Sequence, residues 1–148
     1  MSGIDEGKTM TRIAASLGLA LLFTTGGAMA QHTAAHGAPH DVKVTPLLLK
    51  ELTDIPGKEV LMITVDYPPG GADPVHRHDA HGFIYVLQGS IVMGVKGGKE
   101  ITLKPGETFY EGPNDIHTVG RNASKTKPAR FLVMLVKNKG AEAVLPVN

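Results

Sequence analysis

Gly70-Gly71-Ala72-Asp73-Pro74-Val75-His76-Arg77-His78-Asp79-Ala80-His81 places three imidazoles within six residues, after the Pro68-Pro69 break and ahead of the apolar run Phe83 to Leu87. Successive side chains of an extended segment point to opposite faces, and residues two apart share one. His76 and His78 on a strand therefore send both rings the same way, with their roots roughly 6–7 Å apart. One metal ion between two such rings would bond each nitrogen at about 2.0–2.1 Å. The pair reads as a pincer for a cation. Alternation sends His81 to the face opposite His76, unless Gly82 permits a bulge that swings it inward.

Composition narrows the chemistry. The chain has 148 residues, enough for one domain with a real core. Its 15 basic and 14 acidic residues nearly balance, which gives no electrostatic case for nucleic acid or an anionic membrane surface. There is no cysteine, so thiol catalysis, disulfides and thiolate metal sites are excluded. A metal here is expected to use nitrogen and oxygen ligands. Arg12, the apolar run Ile13 to Phe23 and the small-residue end Ala28-Met29-Ala30 form a signal-peptide pattern over residues 1–30, with cleavage after Ala30. The run is too short and too Gly-broken for a comfortable membrane span. No stable membrane insertion is expected after cleavage, with an uncleaved anchor as the alternative reading. The expected location is the periplasm or outside the cell. Residues 31–41 read as a flexible tether carrying His32, His36 and His40, either solvated or a metal scavenger.

From Val42 onward the pattern is short strands and tight turns. Glu59 to Tyr67 alternates, with Leu61, Ile63, Val65 and Tyr67 on one face. Val42 to Leu49, Phe83 to Leu87, Ser90 to Val95, Lys99 to Leu103, Glu107 to Tyr110, Ile116 to Arg121 and Arg130 to Val136 read as further strands. Gly97-Gly98 predicts a two-residue hairpin. Met62, Met93 and Met134 fall in apolar runs and read as core packing. Eight or nine short strands with regular turns define an all-β class, an antiparallel barrel or sandwich. The barrel is expected over residues 42–138, with a C-terminal tail over 139–148. Strands this short leave an interior that holds one small ligand.

With those residues in place, the chain resembles the cupin superfamily, and specifically its small single-domain bacterial members. Gly70, His76, His78 and Gly89 match the first cupin motif; Gly106, after Pro105, and His117 match the second. Gly112-Pro113-Asn114 and Asn122 each stand one residue out of the usual pattern. The resemblance implies a jelly roll and a metal site built from His76, His78 and His117. Where the pattern carries a glutamate, this chain has Gly82. Three arrangements follow: three histidines with water, His81 as an additional nitrogen ligand, or an oxygen from Glu111. Imidazole suits iron, zinc, copper and nickel, and a carboxylate-free set leans away from manganese and magnesium. The chemistry implied is that of a metal-dependent oxidoreductase, dioxygenase-like and iron-based, acting on a small polar or aromatic molecule. Glu111 and Tyr85 are the candidate substrate contacts, Tyr85 with core packing as its alternative. The other reading is a non-catalytic periplasmic protein that binds a metal or small ligand. The resemblance also implies a homodimer paired through outer strands.

Overall fold

The structure, a computed structural model, describes residues 42–147. The signal-peptide and tether readings lie outside these residues. Ten strands and no helix occur among the described residues: β1 (Lys43–Glu51), β2 (Lys58–Tyr67), β3 (His76–Arg77), β4 (Ala80–Gln88), β5 (Ile91–Val95), β6 (Ile101–Leu103), β7 (Thr108–Glu111), β8 (Ile116–Asn122), β9 (Ala129–Asn138) and β10 (Leu145–Pro146). They form two five-stranded antiparallel sheets, ordered β1-β2-β9-β4-β7 and β10-β3-β8-β5-β6. The expected all-β architecture is observed.

The core lies between the sheets because each long strand is apolar at every second position. Val65 and Tyr67 on β2, Ile84 and Val86 on β4, and Phe131, Val133 and Leu135 on β9 come from one sheet; Ile91, Met93 and Leu103 come from the other. Met62 and Met134 depart from the core reading. They sit opposite each other on the β2–β9 ladder, half-buried, on the alternate face from Ile63 and Val133. Period 2 overrides composition there: both carry even numbers on strands whose odd positions face inward.

Two further expectations are corrected. The Gly97-Gly98 connection is longer than a two-residue hairpin. Gly98 N–H donates to Val95 O at 2.9 Å, and β6 starts only at Ile101, opposite Met93. The C-terminal tail is not separate from the barrel. Leu145 and Pro146 pair with Arg77 and His76, adding an edge strand beside β3. A two-residue strand carries too weak a periodic signal to be read from sequence.

Gly89 shows why a motif glycine is needed in this fold. Its φ is +71°, and a Cβ there would stand 2.5 Å from Pro128 O. Both the left-handed backbone and the close approach demand glycine. Asn122, at the end of β8, is buried and ties two turns together. Its Nδ2 donates to Pro68 O at 2.9 Å and Lys127 O at 2.8 Å, and its Oδ1 accepts from Ser124 N–H at 2.8 Å. Replacing Asn122 by alanine strands these groups, so Asn122→Ala should lower unfolding stability by about 2–3 kcal/mol. Urea denaturation measures this, and an unchanged midpoint contradicts it.

Candidate metal centre

β3 pairs with β8 so that His76 stands directly opposite His117. His78 follows just after β3, on the same side as His76. All three rings are buried. One donor nitrogen from each lies within 4.8 Å of the other two. His76 Nε2 and His78 Nε2 are 3.1 Å apart.

The hydrogen bonds fix which nitrogens face inward. His76 Nδ1 donates to Pro74 O at 2.8 Å, His78 Nδ1 donates to Ala143 O, and His117 Nε2 donates to Val119 O at 2.6 Å. A neutral imidazole has one N–H and one lone pair. With each N–H committed to a backbone carbonyl, the lone pairs of His76 Nε2, His78 Nε2 and His117 Nδ1 turn toward one another. Carbonyl-oriented imidazoles are the usual support of a metal-ligating histidine. His117 Nδ1 is buried without any hydrogen-bond partner. An orphaned buried acceptor carries a desolvation cost of about 1–3 kcal/mol, which a bound cation would remove. The residues therefore fit a transition-metal ion.

The protonation states agree. Burial, with His76 nearby, holds His117 down to about 4, against the pull of the Val119 carbonyl. Burial also lowers His78. Both rings are thus neutral near pH 7 and ready to ligate.

Glu111 completes the polar wall. It is 3% exposed, with Oε1 3.3 Å from His117 Nδ1 and Oε2 3.6 Å from His78 Nε2. Burial first, then the charges of Asp115 and Asp73, push its carboxyl up to about 7. Asp73, also raised by burial, accepts a hydrogen bond from the Tyr67 hydroxyl. This pair was not singled out from sequence; the only signal was an acid inside the Gly70–His78 stretch. Gly120 keeps the corner open. A Cβ there would lie 3.0 Å from both His117 Cε1 and the Tyr67 hydroxyl oxygen.

The cluster opens onto a cavity of about 310 Å³ whose other walls are apolar, among them Leu61, Ile63, Val65, Ile84, Phe131 and Val133. Val44 and Val144 line it and remain half exposed, so they mark its mouth. Ala143 and Val144 come from the segment expected to be a tail.

Two sequence candidates lie elsewhere. β4 alternates strictly across Ala80–Leu87, and its one irregularity falls between Val86 and Gln88, not at Gly82. His81 therefore stays on the outer face, exposed, with its Nδ1 2.7 Å from the Tyr110 hydroxyl. It does not join the three histidines. Tyr85 shares that outer face, 44% exposed, beside Phe83, Tyr110 and Leu132, away from the central cavity. Glu111, by contrast, lines the cavity.

Residues 63–135 match the cupin domain family. No curated protein matches the chain. Among solved structures, the protein TT1209 from Thermus thermophilus is 27% identical, with a TM-score of 0.54 over 68% of this chain and 87% of that one. An oxalate oxidase in complex with the substrate analogue glycolate is also 27% identical, with a TM-score of 0.55 over 73% of this chain. This chain spans only 56% of that protein's length. A Klebsiella pneumoniae protein with a double-stranded β-helix domain is 15% identical, with a TM-score of 0.58 over 75% of this chain and 90% of that one, which speaks to fold alone. The chain has a cupin fold, and the family match and the oxalate oxidase neighbour support the cupin superfamily.

The geometry makes two outcomes measurable. His81→Ala should leave cobalt(II) affinity unchanged in a titration; a tenfold loss, about 1.4 kcal/mol, would place that ring in the site. In metal-free protein, Glu111 is protonated more readily folded than unfolded. Its stabilising contribution is present below the ordinary carboxyl value of 4.5 and is lost as pH rises through about 7. Glu111→Gln should therefore gain stability relative to the wild type across that window, by on the order of 3 kcal/mol. Thermal melts at pH 4 and pH 8 measure the difference, and a constant gap contradicts it.

Proposed function

We propose that this chain is an exported, metal-dependent enzyme of dioxygenase type acting on a small molecule inside the barrel. The observation that carries the reading is the convergence of three imidazole lone pairs on the wall of an otherwise apolar cavity. Export is supported by the leader pattern ending at Ala30.

His76, His78 and His117 would hold the ion, with Pro74 O, Ala143 O and Val119 O fixing the rings. A bound transition ion would supply Lewis acidity and, as iron, one-electron chemistry toward dioxygen. The chain's own residues supply the rest. Ile63, Val65, Ile84, Phe131 and Val133 exclude water and grip an apolar part of the ligand. The His-Glu-Asp side receives one polar end. The Tyr67–Asp73 pair keeps a proton-bearing group at that wall. The ligand class supported is thus a compact molecule with an apolar body and a single polar head, sized to about 310 Å³. The small acid bound by the oxalate oxidase neighbour is consistent with such a polar head at such a site.

The test is reconstitution. Metal-stripped protein is reloaded with iron(II), zinc(II), copper(II) or nickel(II), and oxygen uptake is followed against a panel of small acids, alcohols and phenols. Iron-dependent turnover that disappears in His76→Ala and His117→Ala is expected. Tight metal retention with no oxygen uptake for any ligand would make the protein a binder. Failure of every ion to bind at neutral pH would end the metal reading.

A further inference from the structure

Gly82 and Glu111 face each other across the β4–β7 ladder. A Cβ at Gly82 would lie 3.6 Å from Glu111 Cβ and 3.4 Å from Leu135 Cδ2, so both positions address one patch of the inner wall. Gly82 brings no donor to that patch. Glu111 brings a carboxylate with no Lys or Arg paired to it among the described residues.

Its surroundings are unusual for a buried acid. The two nitrogens nearest its oxygens, His78 Nε2 and His117 Nδ1, are the ones left with lone pairs once the opposite ring nitrogens donate to Ala143 O and Val119 O. Lone pairs facing carboxylate oxygens repel unless a proton or a metal cation lies between them, and a cation can serve both nitrogens at once. The distances fit such a charge. Two donors each about 2.0–2.1 Å from one ion stand about 2.9–3.4 Å apart at angles from square to tetrahedral. The His76–His78 separation of 3.1 Å and the His117–Glu111 separation of 3.3 Å fall in that range, and the 3.6 Å to His78 lies just beyond it.

We infer that Glu111 is a fourth ligand of the cation, so that the carboxylate absent at Gly82 is delivered from the strand alongside. This rests on the metal reading above and sharpens it. Three imidazoles and one carboxylate form a harder, less positive set than three imidazoles alone. Such a set readmits manganese(II) beside iron(II).

Cobalt(II) is the probe, because its visible spectrum reports coordination as well as occupancy. Glu111→Gln should bind cobalt at least about 100-fold more weakly than the wild type, at or beyond the roughly 10–100-fold lost when a residue that merely supports a ligand is removed. Its spectrum should shift as well. Glu111→Gly should behave likewise, and Gly82→Glu/Glu111→Gly should recover affinity to within about tenfold of the wild type by returning the carboxylate from β4. The pair of glycine-bearing variants carries the test if the glutamine variant misfolds. Wild-type affinity and spectrum in Glu111→Gln would overturn the assignment while leaving three-histidine binding intact. A wild type that takes up no cobalt overturns the assignment together with the metal reading.

Discussion

Three buried imidazoles that spend their only N–H groups on backbone carbonyls must turn their lone pairs inward, and the rest of this molecule is arranged around that constraint. Pro74, Val119 and Ala143 supply the carbonyls from three different parts of the chain. Each lone pair left without a donor costs free energy, as does the Glu111 carboxylate beside them. In the absence of a cation the cluster is a local weakness held in place by its surroundings. With a cation it becomes a part of the interior where the inward-facing donors have a partner.

The cost is borne by the two sheets. Apolar side chains from β2, β4, β5 and β9 fill most of the space between them and leave a single polar wall. That contrast has a chemical consequence. Charge on one side and hydrocarbon on the other select ligands with a polar head and an apolar body, and the low-dielectric walls strengthen any interaction the head makes. The C-terminal segment belongs to this design rather than to the surface. Its Ala143 carbonyl orients His78, its Val144 lies at the mouth, and its Leu145–Pro146 strand braces the strand that carries His76.

Much of this was legible in the residues. The alternation of Leu61, Ile63, Val65 and Tyr67 announced β2, and the His76-x-His78 spacing announced two rings on one side. The match of His117 to a second motif supplied the third. Local rules failed where the outcome hung on neighbours. His81 was allowed inward by a bulge at Gly82, yet β4 keeps its pleat there because both flanks are paired, to β9 and to β7. Tyr85 follows from the same alternation and lies outside. Met62 and Met134 looked like core by composition and pack on the outer face by register.

The sequence alone excluded thiolate donors and offered imidazole in their place, since the chain has no cysteine but carries His-x-His. It also determined the strand period, because side-chain direction along an extended backbone is a property of two adjacent residues. The two motifs named the three histidines, but only the tertiary structure decided that Glu111 stands beside them and His81 does not. His76 finds His117, and Gly82 finds Glu111, through the pairing of strands far apart in the chain. That pairing depends on the register of whole sheets, and no local pattern of residues encodes it.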